Sequence, residues 1–91
     1  MFAIDIEKKI LELFGIQSDK AKGILQKLDD PAGSQSRIIR CVLVLSGGDI
    51  KKLEEATNYA VVDYRDVIQG AEYDDAGTRI ANYNNPFPLG K

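Results

Sequence analysis

Arg37 and Arg40 stand three residues apart at the head of the most apolar run of the chain, which extends from Arg37 to Leu45 and is stopped by Ser46-Gly47-Gly48-Asp49. Two guanidiniums in such a place can pair bidentately with carboxylates, or they can converge on a phosphate or carboxylate ligand. Segment 63–75 supplies groups for either arrangement, with Asp63, Asp66 and Glu72 as acids and Tyr64 and Tyr73 between them. A buried cation without a partner is expensive, so structural pairs between the arginines and these acids are the expectation. The rival is an anionic-ligand or enzymatic site built on Arg37, Arg40, Asp63, Tyr64, Asp66, Glu72 and Tyr73.

Other chemistries find less support. The chain has no histidine, the commonest general base and metal ligand, and no serine or threonine in a nucleophile context. Its single cysteine, Cys41, sits inside the apolar run, where burial raises a thiol's pKa and hides it, and it can form no disulfide within the chain. The acids of 63–75 do not follow the alternating spacing of a calcium loop, and no metal site is expected. Ser46-Gly47-Gly48-Asp49 lacks the lysine and the glycine spacing of phosphate-binding loops, and Asp49 would repel an anion; a tight turn between helices accounts for it. No cofactor and no catalytic set is expected. The tail tripeptide Asn85-Pro86-Phe87 resembles the ligand of eukaryotic EH domains, although a turn with an aromatic anchor needs the same residues.

The charge is unevenly placed. Residues 1–62 hold nine acids and nine bases, 63–75 hold five acids and one arginine, and 76–91 hold two bases, for a net charge of −2. The most charged segment thus has the sign that repels nucleic acid. A helix-turn-helix reader over 50–69 would offer Asp63-Tyr64-Arg65-Asp66-Val67-Ile68-Gln69 as its recognition helix, two acids against one arginine, which argues against DNA. An acidic face that docks a basic protein surface fits better.

These residues need elements to position them. Ile6, Ile10, Leu13 and Phe14 recur at helical spacing, with Asp5 placed to cap and Gly15 to stop. Ser18 can begin a second helix with the stripe Ala21, Ile24, Leu25 and Leu28, ended by Asp29-Asp30-Pro31-Ala32-Gly33; Gly23 within it costs about 1 kcal/mol relative to Ala. The run around residues 36–46 could be a buried strand, but its charges share one helical face and no other segment alternates well enough to partner it. Asp49 is placed to cap a helix with the stripe Ile50, Leu53, Ala56 or Thr57, and Ala60. Asp63 is placed to cap a fifth with Tyr64, Val67, Ile68 and Ala71, ending near Tyr73, unless the two are one bent helix. From Asp74 the period is lost, leaving Ile80, Tyr83, Phe87 and Leu89 as anchors for a tail laid over the helices.

The chain of 91 residues, 44% hydrophobic, fits one small domain. The expected architecture is all-α, four to five short helices around a central apolar helix at about residues 36–46, with 1–75 the helical domain and 76–91 an irregular C-terminal tail of the same domain. No secretory or membrane signal stands in Met1–Phe14, which gives a soluble, cytoplasmic protein as the expectation. The expected role is a non-catalytic protein–protein interaction or regulatory module, its partner another protein with a basic surface. A homo-oligomer through apolar faces is open to so small a domain.

Overall fold

A computed structural model describes residues 2–28 and 35–87. Five helices appear in it, α1 (Ile4–Phe14), α2 (Ser18–Leu25), α3 (Ser36–Ser46), α4 (Ile50–Val62) and α5 (Tyr64–Glu72). Short 3-10 turns follow α1 at Gly15–Gln17 and α2 at Gln26–Leu28. The described residues contain no strand, only one isolated antiparallel bridge between Tyr73 and Arg79. The chain is all-α.

α3 lies at the centre, packed against α1, α4 and α5, while α2 closes the bundle against α1 and α4. Its Ile39, Cys41, Val42 and Leu43 are buried, which spreads burial around most of the helix. That explains why its sequence reads almost as a strand: a helix enclosed by neighbours has no polar face to reveal its 3.6-residue period. Ile6, Ile10 and Phe14 of α1, Leu25 of α2, Leu53 and Ala60 of α4, and Val67 and Ala71 of α5 complete the core around it.

The helix ends follow local chemistry in most places. Gly15 stops α1 at φ +52°. Asp49 Oδ1 accepts the Lys52 amide at the head of α4, and Asp63 Oδ1 accepts the Arg65 amide at the head of α5. Asp63 is the whole joint between α4 and α5: its extended backbone breaks the helix for one residue, so the two are separate helices rather than one bent one. The expected cap on α1 is corrected. Ala3 occupies the N-cap position with no side-chain bond, and Asp5 is buried inside the bundle instead. The proposed stop of α2 at residues 29–33 lies outside the described residues, although the α-helix itself ends at Leu25.

After α5 the chain turns at Asp74, whose Oδ1 accepts the amides of Ala76 and Thr78, and then runs back across the bundle. Tyr83 and Phe87 pack on the core, their rings 5.8 Å apart. Ile80 stays 63% exposed and is no anchor; Leu89 lies outside the described residues.

Two glycines allow a test of this geometry. Gly48 has φ +89°, and a Cβ there would come within 2.9 Å of the Leu13 carbonyl oxygen, so the turn from α3 to α4 rests directly on the backbone of α1. Gly23 lies inside α2 with nothing within 4 Å of the same position. Urea denaturation should therefore show Gly48→Ala destabilised by roughly 1–3 kcal/mol and Gly23→Ala stabilised by up to about 1 kcal/mol.

Candidate functional site

Each arginine of α3 finds a carboxylate, but from different elements. Arg37 donates Nε to Glu72 Oε2 at 2.9 Å and Nη2 to Glu72 Oε1 at 2.7 Å, a two-pronged pair between α3 and α5. Arg40 donates Nε to Asp5 Oδ2 at 2.8 Å and Nη2 to Asp5 Oδ1 at 3.1 Å, tying α3 to α1. The expectation that segment 63–75 would serve both arginines is half right: of the two, Glu72 receives Arg37 but not Arg40, and neither Asp63 nor Asp66 reaches either one. Asp5 stands where a helix cap is expected, and its partner lies 35 residues away, a distance that no local pattern encodes.

Both carboxylates also hold the tail. Glu72, fully buried, accepts a further bond from Arg79 Nη2 at 2.8 Å and from the Tyr83 amide at 3.0 Å. Asp5 accepts the Phe87 amide at 3.0 Å, while Arg40 donates its remaining Nη1 to the Tyr83 carbonyl at 3.1 Å. Arg79 also lies over the half-buried Tyr73 ring, 5.7 Å from its centroid. The Asn85-Pro86-Phe87 tripeptide is folded into this arrangement, its phenylalanine half-buried with its backbone engaged.

The charges respond to these bonds. The Arg37 hydrogen bonds lower the Glu72 carboxyl against the opposing effect of burial, and with the Tyr83 amide they hold it at about 2. Burial alone would push Asp5 up, but the Arg40 bonds and the Phe87 amide outweigh it and leave the carboxyl below its ordinary value. Cys41 points its Sγ toward Glu72 Oε2 at 3.7 Å, and burial together with the neighbouring carboxylate pushes its thiol up to about 12. Such a thiol is no nucleophile at neutral pH.

These pairs occupy the guanidiniums that an anion would need, and none of the described cavities is lined by Arg37 or Arg40. Among the described residues, no three acidic or cysteine side chains gather in a group able to hold a metal. No described helix is long and apolar enough to cross a membrane.

A second arrangement lies between α4 and α5. Two adjoining hollows of about 580 and 770 Å³ share Glu55, Tyr59 and Asp66 in their walls. Leu45, Ala56 and Val67 line the first, and Val62 and Asp63 line the second. Tyr59 and Val62 are 60% and 86% exposed. Lys52 is the one lysine among the lining residues, against Glu55, Asp63 and Asp66. Asp63 already holds its cap and a loose contact to Arg65, whereas Glu55 and Asp66 have no ion pair among the described residues. Of the candidate residues taken from the sequence, Asp63 and Asp66 line this groove, Tyr64 is exposed outside its lining, and Arg37, Arg40, Glu72 and Tyr73 belong to the buried network or its edge. Glu55, Tyr59 and Val62 also line this groove and are not among the candidates read from the sequence. Their only signal was an apolar Tyr-Ala-Val-Val stretch at the end of a helix whose core stripe was already complete.

Comparison of the chain with protein families, curated proteins and solved structures returned no match in any of the three.

Two measurements test the network. Glu72→Gln should lower stability by roughly 3 kcal/mol, the lower end of the cost of breaking a buried pair, because Arg37 and Arg79 keep part of their surface in water. Both carboxyls are depressed in the folded state, so their stabilisation is complete above the ordinary carboxylate range and is lost as protons bind. The Glu72 contribution should vanish as pH falls from about 4.5 to about 2 and should be constant above that, and Glu72→Gln should flatten this part of the pH profile. Iodoacetamide at pH 8 should leave Cys41 unmodified in the folded protein and alkylate it readily in urea, as mass spectrometry would read.

Proposed function

We propose that the protein is a non-catalytic interaction module whose docking surface is the groove between α4 and α5. The observation that carries this reading is the placement of exposed Tyr59 and Val62 beside the unpaired acids Glu55 and Asp66. Apolar side chains left in water next to unpaired charges of one sign suit a partner segment that brings both apolar and basic groups. An amphipathic helix with leucines on one face and lysines or arginines beside them meets both demands. The aromatic ring of Tyr59 would supply the buried anchor and the acids would set orientation and association rate. The acidic rim also disfavours a nucleic-acid partner at this surface.

An NMR titration of the isotope-labelled protein with a helical leucine–lysine peptide tests the reading. Amide shifts should cluster in residues 45–70, and affinity should fall about tenfold or more when Glu55 and Asp66 are both replaced by lysine. Tyr59→Ala should weaken binding at least as much, while raising salt should weaken it through the charges. Shifts scattered over the whole molecule, or affinity unchanged in the double lysine variant, would contradict it.

A further inference from the structure

The outer face of α1 carries a second unpartnered surface, built from residues other than those of the α4–α5 groove. Ile4 and Leu11 are 69% and 63% exposed, although α1 already buries Ile6, Ile10 and Phe14 on its other side. Glu7 and Lys8 lie between them on the same outward stripe, both exposed. The stripe therefore reads apolar, acidic, basic, apolar. A hollow of about 590 Å³ runs beside it, with Phe2, Ile4, Leu11 and Lys22 among its lining residues. Among the described residues Lys8 has no ion pair, and Glu7 has only an exposed contact with Lys22 at 3.6 Å.

This order is complementary to itself when reversed. We propose that α1 is a self-association surface on which a second copy of the chain docks its own α1 antiparallel, about a two-fold axis passing between Glu7 and Lys8. In that arrangement Ile4 meets Leu11 of the second copy, Glu7 meets its Lys8, and the same two contacts repeat across the axis. One surface satisfies itself, as a closed two-fold interface requires. A parallel pairing would set Lys8 against Lys8 and Glu7 against Glu7, so the charges select the antiparallel one. The hollow beside the stripe receives the apolar side chains of the other copy. A contact of one helix face per chain is at the small end of specific interfaces, so the dimer is weak, with dissociation on the order of 10 µM to 1 mM.

The charge order provides a sharp test by sedimentation equilibrium. The wild-type mass should rise from one chain toward two as concentration increases from about 10 µM to about 1 mM. Lys8→Glu makes the middle of the interface wholly acidic and Glu7→Lys makes it wholly basic; each variant alone should stay monomeric over that range. Mixing the two variants should restore a dimer, and so should the double exchange of Glu7→Lys with Lys8→Glu in one chain. Leu11→Gln, which changes no charge, should also abolish association. A wild type that remains monomeric throughout overturns the proposal, as does association that survives in the single charge variants or that the double exchange fails to recover. Far-UV circular dichroism identical to wild type in each variant ties the result to the surface rather than to the fold.

Discussion

The structure depends on two arginines of α3, Arg40 buried and Arg37 half-buried, and on the two buried carboxylates that receive them. An uncompensated guanidinium at the buried position of Arg40 would cost about 3–5 kcal/mol, a large share of a total stability on the order of 5–15 kcal/mol. Asp5 and Glu72 remove that cost from opposite ends of the helical sequence. Each carboxylate takes two bonds from an arginine and one from a tail amide, so the groups that neutralise α3 also decide where residues 73–87 lie. The tail then has a reason to be ordered although it contains no helix and buries few apolar side chains. Its backbone satisfies lone pairs that the arginines leave open.

This arrangement changes how the acidity of segment 63–75 should be understood. Along the chain the segment is a block of five acids with one arginine. In the fold, Glu72 is withdrawn into the core, Asp74 closes a turn and Asp63 caps a helix. Asp66 and Asp75 remain exposed and unpaired among the described residues, and Asp66 is joined at the α4–α5 groove by Glu55 from α4, outside the block altogether. Linear charge density therefore does not report which acids the folded surface exposes without a partner. The surface charge that matters to a partner is the part not consumed by the fold.

Much of the architecture was legible because it is written locally. Asp49 and Asp63 announce the starts of α4 and α5 by a side chain that reaches an amide two or three residues ahead, and Gly15 ends α1 through its own backbone. The helix at 36–46 was harder, because enclosure by three neighbours removes the polar face on which helical periodicity depends. Asp5 was not legible as a site residue. Its place in the first turn of a helix is where acids are favoured for local reasons, and only the three-dimensional approach of α3 shows that it serves Arg40 instead. The need of the arginines for acids could be derived from burial alone; Glu72 stood among the acids expected for them, and Asp5 did not. The groove at Tyr59 and Val62 was hidden for a related reason, since an apolar residue left outside a core looks in sequence like one that belongs to it.

If the paired carboxylates are the latch that orders the tail, the amides they accept should be shielded from solvent. Hydrogen exchange followed residue by residue is the most direct measurement. The Tyr83 and Phe87 amides should exchange far more slowly than an unstructured chain, and Asp5→Asn should strip protection from Phe87 while the Leu53 amide in α4 stays protected. Rapid exchange at Tyr83 and Phe87 in the unaltered protein, with the helices protected, would contradict the account.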